Sequence, residues 1–263
     1  MNNIHVEQDN EATVITLSRP ERLNSLSHEL IDELLDALEE IENDDNCRVL
    51  VIQGEGRAFC AGDDLKGMGE IPDGRWRDRK PVRRFNVLPQ QKLIASLRDF
   101  PKPIVAKLHG YALGMGLDMA LACDIRICAD DTELGDPRAT RALYAATGMH
   151  YQLPRIVGYG RAMEMMLLAE KIDGREAYSR GMVYKSVPAD QLDDAVDAVV
   201  DYLRTAATRS LFFMKKQLHD QQDMGFEDAH RHSIWMRATY DIEDGKEGIQ
   251  AFIEKREPRF TGR

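Results

Sequence analysis

Two segments of the chain have the residue types and spacing to do chemistry through the main chain: Phe59-Cys60-Ala61-Gly62-Asp63-Asp64-Leu65 and Gly110-Tyr111-Ala112-Leu113-Gly114-Met115-Gly116. Each places a glycine-bearing turn after a strand-like run and before a helix-like one. Glycine permits a tight bend and lets a ligand come close to the backbone. The first amides of the following helix have no intrahelical acceptor and carry the positive end of its dipole. Two such turns side by side can aim two N–H groups at one oxygen and stabilise negative charge that develops there. Losing one donor from an oxyanion hole of this kind typically costs about 2.7–4 kcal/mol of transition-state stabilisation. Either turn alone also reads as a plain strand-to-helix connection. The pair carries the functional reading.

Hydrophobic periodicity gives the elements that must hold these turns. Residues 13–17 (TVITL) read as a strand, ended by Arg19-Pro20. Ser27 is placed to cap a helix running to about Asn43, with Leu30, Ile31, Leu34, Leu35, Leu38 and Ile41 as its apolar stripe. Residues 48–53 (RVLVIQ) form a short buried strand, residues 86–100 a helix, and Pro103 opens the strand PIVAKLHG. The second turn leads into the apolar helix LDMALAC, and residues 124–129 form a third core strand. From Tyr159 the pattern is helical, interrupted by one short strand (MVYKSV). We therefore expect strand–turn–helix units over residues 1–190 and a helical region over 191–263, packed as one unit without a linker.

Composition narrows the function classes. With 45 acidic and 35 basic residues the net charge is −10 and the pI about 5.3, which argues against nucleic-acid or anionic-membrane partners. The polar start MNNIHVEQDN is not a signal peptide, and no run approaches the ~18 apolar residues of a transmembrane helix. The cysteines Cys47, Cys60, Cys123 and Cys128 form no CxxC pair and read as free thiols of a reducing cytoplasm. No HxH or HExxH spacing points to a metal. His109 and His150 read as structural histidines.

Together the two turns resemble those of the crotonase (enoyl-CoA hydratase/isomerase) superfamily. Arg19-Pro20 with Arg22-Leu23-Asn24-Ser25-Leu26 resembles the family's early segment along coenzyme A. The stretch 56–65 resembles its first oxyanion motif, and Lys102-Pro103-Ile104-Val105-Ala106 with Gly110-Tyr111-Ala112-Leu113-Gly114 its second. Cys123-Asp124-Ile125-Arg126, Arg155-Ile156-Val157-Gly158, Gly160-Arg161-Ala162 and Phe252-Ile253-Glu254-Lys255-Arg256 extend the likeness over most of the chain. The resemblance implies an α/β spiral of ββα units whose helical C-terminal region makes trimers, often paired into hexamers. It implies an acyl-CoA thioester as substrate with no further cofactor. It assigns the oxyanion donors to the backbone N–H groups of Asp63 and Met115. Contacts to coenzyme A fall on Arg22, Asn24, Ser25, Ala61, Asp63, Leu65 and Gly114, with Phe252 and Lys255 at its adenine end.

Hydratases of this family use two carboxylates to hold and activate water, a task suited to acid/base groups. Asp118 occupies the first position, one methylene shorter than the usual glutamate, in a helix start that favours its ionised form. The second position falls on Arg138, which cannot act as a base. Three readings stand: Asp136 substitutes, Arg138 pairs with Asp118, or Arg138 grips a substrate carboxylate. Tyr144, with Gly148-Met149-His150, resembles methylmalonyl-CoA decarboxylases, where a tyrosine orients the departing carboxylate; a pocket-wall aromatic is the plainer reading. The basic run Arg75, Arg77, Arg79, Lys80, Arg83 and Arg84, with Trp76 and Phe85, reads as a surface loop or a wall of the acyl pocket. Hydration of a 2,3-unsaturated acyl-CoA is the leading expectation. Isomerisation, decarboxylation and C–C hydrolysis are the alternatives, and a non-catalytic CoA- or RNA-binding member is disfavoured by the acidic charge and Asp118.

Overall fold

The computed structural model describes residues 3–65, 88–238 and 243–262; the basic run from Arg75 to Arg84, Trp76 and Phe85 lie outside these. A six-stranded sheet runs in the order β1 (Ile4–Asp9), β2 (Ala12–Leu17), β3 (Val49–Gly54), β4 (Ile104–Leu108), β6 (Ile125–Ala129) and β9 (Lys185–Val187). β1 and β2 pair antiparallel, and every later pairing in this sheet is parallel. The apolar runs of β2, β3 and β4 follow from burial on both faces, as parallel strands require. Leu50 and Ile52 of β3 join Ile15, Leu17, Ile104 and Ala106 on one face; Val49 and Val51 join Ala12, Val105 and Ile127 on the other.

Helices cover the first face. Ser27 caps α1 (His28–Glu42), its Oγ accepting from the Leu30 amide at 3.2 Å, and Leu30, Ile31, Leu34, Leu38 and Ile41 face inward. α2 (Pro89–Asp99) buries Leu93, Ile94 and Leu97 and packs against both α1 and α3 (Met115–Ala122). All eight residues of α3 are buried, and Asp118 is its one polar side chain. The second face is closed by α7 (Leu192–Thr205) through Leu192, Val196, Val200 and Leu203. α8 (Thr208–Asp220), α9 (Phe226–Ala238) and α10 (Glu243–Glu254) follow.

A smaller sheet joins β5 (Tyr111–Leu113), β7 (Glu133–Gly135) and β8 (Lys171–Ile172). Between and after these strands come α4 (Met149–Val157), α5 (Tyr159–Leu167) and α6 (Gly174–Ser179). β1, β7, β8 and α4 are absent from the pattern-based reading, for physical reasons. Only Ile4 of β1 is buried, so that edge strand carries no alternation signal. β7 and β8 have three and two residues, too few for a period to register. α4 contains Pro154, a residue that normally marks a helix end.

The two glycine turns are one object. Cys60 donates to Tyr111 O at 2.9 Å and Leu113 donates to Cys60 O at 3.0 Å, which makes residue 60 a parallel bridge partner of β5. Gly116 packs on the same carbonyl. A Cβ there would overlap Cys60 O and lie 2.9 Å from both the carbonyl carbon and the Cβ of Cys60. The first turn of α3 can approach residue 60 only without a side chain. Gly116→Ala is therefore expected to force the turns apart and destabilise the fold by about 1–3 kcal/mol, read as a lower midpoint in thermal unfolding followed by circular dichroism.

Candidate active site

The site lies beyond the carboxyl ends of the parallel strands β3 and β4, where ligands bind in open α/β sheets. The early Arg-Pro segment is threaded against the first turn. Ala61 donates to Leu23 O at 3.0 Å, Leu26 donates to Gly62 O at 2.8 Å, and Asp64 donates to Leu26 O at 3.0 Å. In this parallel bridge Leu26 pairs with the carbonyl oxygen of Gly62 and the N–H of Asp64, and the N–H of Asp63 takes no part. Gly62, at φ +104°, closes the gap to the second turn: a Cβ there would sit 2.9 Å from Leu113 O and 3.5 Å from the Met115 amide nitrogen. Met115 begins α3, so its N–H has no intrahelical acceptor. Among the described residues neither amide is spent in the turns' backbone hydrogen bonds.

Asn24 makes this threading possible. It is fully buried at φ +55°, accepts from the Arg19 amide at 2.9 Å and donates to Glu55 O and Ala58 O at 2.9 and 2.7 Å. Ser25 is buried beside it, and its carbonyl accepts from Arg19 Nη1 at 2.6 Å. Arg19 Nη2 also pairs with Asp64 at 2.9 Å. Sequence reading missed this Arg19–Asp64 clamp, although opposite charges in two neighbouring motifs were its signal. Arg22, Ala61 and Asp63 are half-buried, Gly114 is buried, and Leu65 is 42% exposed.

The side-chain chemistry is concentrated around Arg138. Asp118, with no exposed surface, accepts on Oδ2 from Arg138 Nη1 at 3.0 Å and from the Thr147 hydroxyl. Arg138 Nε donates to Asp136 Oδ1 at 2.7 Å, and the same oxygen accepts the Arg138 amide at 3.1 Å, capping the 3-10 turn Pro137–Arg141. Arg138 is thus paired with Asp118 and with Asp136 at once. A Cβ on Gly114 would stand 4.0 Å from Arg138 Nε, so the guanidinium abuts the second oxyanion turn. Two atoms of this group are buried without a hydrogen-bond partner among the described residues: Asp118 Oδ1 and Arg138 Nη2. An unpartnered buried polar atom typically costs about 1–3 kcal/mol, so each of the two would gain from a partner.

Burial pushes the Asp118 carboxyl above its ordinary value of 3.8, with Arg138 and Thr147 pulling the other way. Burial raises Asp63 as well, again opposed by Arg138. Burial works against the charge of Arg138, yet Asp118 and Asp136 hold its pKa above the ordinary value. Because Oδ2 of Asp118 takes both donors, a proton on this carboxyl belongs on Oδ1. Sequence reading gave Thr147 no role, because nothing local connects its hydroxyl to Asp118, 29 residues earlier.

Three further expected residues are solvent-exposed. Tyr144 is 79% exposed, Phe252 is 85% exposed and Lys255 is exposed. The tail after α10 is tied to the far end of the sheet, where Arg48, just before β3, donates to Phe260 O at 3.0 Å. Phe252 and Lys255 thus belong to an element anchored away from the two turns. His109 contacts Gly56 O at 3.0 Å, and His150 is exposed. The described residues contain no cluster of metal ligands and no helix long and apolar enough to cross a membrane.

An aspartate whose folded-state pKa is raised stabilises the fold below its unfolded value, and that contribution is lost as the pH rises through the folded value. Thr147→Val removes a donor to the ionised form and raises Asp118 further. The variant is expected to lose about 1.5–3 kcal/mol at pH 8 and less at pH 5, measured by urea unfolding at both.

Comparisons with known proteins give the family of the chain. Residues 7–263 match the sequence profile of the family described as enoyl-CoA hydratase/isomerase. The chain is 33% identical to a probable enoyl-CoA hydratase of Bacillus subtilis over 266 residues, covering 100% of each. It is 33% identical to the 1,2-epoxyphenylacetyl-CoA isomerase of Escherichia coli, covering 98% of this chain and 97% of that one. The crystal structure of an enoyl-CoA hydratase from Bacillus anthracis superposes with a TM-score of 0.89 at 29% identity, covering 99% of this chain and 100% of that one. A profile match over nearly the whole chain, on a shared fold, makes this protein an enzyme of the enoyl-CoA hydratase/isomerase family, the crotonase superfamily.

Proposed function

We propose that the chain adds water across the 2,3 double bond of an acyl-CoA thioester. The observation that carries this reading is the interlacing of residues 60–62 with β5 and the start of α3, which brings to neighbouring positions the amides of Asp63 and Met115, neither of which serves the turns' backbone–backbone hydrogen bonds. They would hold the thioester oxygen as the π electrons of C2=C3 move onto it and the water oxygen bonds to C3. Asp118 Oδ1 takes the proton from that water and returns one to C2, giving the saturated 3-hydroxyacyl-CoA. Raising the carboxyl pKa by burial suits a group that must both accept and return a proton near neutral pH.

A second reading, movement of the double bond along the acyl chain, is favoured by one observation. Asp118 keeps one fully buried oxygen without a hydrogen-bond partner among the described residues, and one acid/base group suffices to carry a proton between carbons. Neither reaction asks for a cofactor beyond the thioester. Four buried, free cysteines fit a cytoplasmic enzyme; burial lifts Cys60 and Cys123 to about 12.

The assembly we propose is a trimer or a dimer of trimers. Phe226, Trp235, Ile249, Phe252 and Ile253 stand 66% exposed or more along α9 and α10, and clustered exposed apolar side chains mark interaction surfaces. Contacts from Phe252 and Lys255 to coenzyme A would then reach the site of a neighbouring copy. Light scattering after size exclusion is expected to give three or six times the chain mass, and a monomer would contradict it.

With a 2-enoyl-CoA the product should gain the mass of one water; an isomerase would leave the mass unchanged and shift the double bond. Asp118→Asn is expected to lower turnover by at least about 10²-fold while thioester affinity changes only a few-fold. Full activity in that variant would remove Asp118 from the mechanism.

A further inference from the structure

The two unpartnered atoms carry an inference about Arg138. We infer that Arg138 Nη2 and Asp118 Oδ1 together hold one neutral oxygen, the hydroxyl on acyl carbon 3 or the water that becomes it, making Arg138 a catalytic residue. This rests on the acyl-CoA reading above and assigns the role of the residue standing where a second carboxylate was expected.

Nη2 can only donate and an ionised Oδ1 can only accept. Both belong to groups already joined by the 3.0 Å contact between Nη1 and Oδ2, so one small group can meet both. A hydroxyl or water does so, accepting from Nη2 through a lone pair and donating its proton to Oδ1. A substrate carboxylate fits poorly. Arg138 brings one positive charge and already meets two buried carboxylates, Asp118 and Asp136, at 3.0 and 2.7 Å, with the half-buried Asp63 also interacting with it. A further anion would enter an environment whose formal balance is negative. The grip on a substrate carboxylate entertained from sequence is thereby disfavoured. Both atoms are shut off from bulk solvent.

In the forward reaction the proton leaves water for Asp118 Oδ1, the C3–O bond forms, and the π electrons shift to the thioester oxygen. The proton on Oδ1 then passes to C2. Arg138 keeps all its protons and aims the oxygen lone pair at C3.

Arg138→Lys keeps the charge between the two aspartates and removes the Nη2 donor. Two reactions separate the roles: hydration of an enoyl-CoA, and exchange of a C2 proton of the matching saturated acyl-CoA in D2O, which needs the enolate but no oxygen at C3. The inference expects hydration kcat to fall roughly 10²-fold, with KM and the exchange rate both within a few-fold of wild type. Equal loss of both reactions in a folded variant would mean that Arg138 acts only through Asp118, and unchanged hydration would mean no role; either overturns it. A wild-type enzyme that catalyses neither reaction removes the parent reading and this inference with it. A measurement on the wild type guards against a misfolded variant. Calorimetric titration with butyryl-, 3-hydroxybutyryl- and succinyl-CoA is expected to rank the hydroxyl ligand tightest and the carboxylate weakest. Tightest binding of succinyl-CoA would overturn the neutral-oxygen assignment.

Discussion

Everything in this site depends on how closely the backbone around residue 60 approaches β5 and the start of α3. Two hydrogen bonds at Cys60, to and from residues 111 and 113, make the turns one rigid unit. The bare faces of Gly62 and Gly116 let them touch. Main-chain amides held by that unit need no reorganisation when charge develops, which is the source of strength in preorganised electrostatic sites. The side chains at 63 and 115 can then vary without moving their N–H groups. An aspartate and a methionine at those positions are compatible with the same function.

The second constraint is electrostatic. Three buried ionisable groups share the space beside the turns: Asp118, Asp136 and Arg138. Breaking a buried pair by removing one partner typically costs about 3–5 kcal/mol, so the trio is maintained as a set. Arg138 supports both aspartates, and Asp136 in return fixes Arg138 through its side chain and its amide. Such an arrangement leaves Asp118 with one engaged oxygen and one unengaged oxygen. A carboxylate divided in this way has a defined atom for proton transfer. On the proposed reading, an arginine in a carboxylate's usual place restricts the site without abolishing acid/base chemistry.

Much of this was legible in the sequence where local rules dominate. The Ser27 cap, the stripe of α1, the doubly buried strands and the two turns all declare themselves through periodicity, capping and glycine placement. The short strands β7 and β8 did not, because their pairing is decided by partners far away in the chain. α4 was hidden by Pro154. At the site, residue types revealed Asp118, Asp136 and Arg138 but not who pairs with whom: three readings of Arg138 were open until the distances to both aspartates were known. Asn24 was read as a coenzyme A contact from its motif; its side chain is committed to Arg19, Glu55 and Ala58, three groups that no local pattern connects to it. Thr147 and the Arg19–Asp64 clamp needed three dimensions for the same reason.

The claim at the centre of this account is that the amides of residues 63 and 115 meet on one thioester oxygen. A crystal structure with a bound, unreactive acyl-CoA tests it directly. Both amide nitrogens should lie about 2.7–3.1 Å from the same oxygen. A thioester oxygen reached by one of them alone, or by neither, would contradict the account.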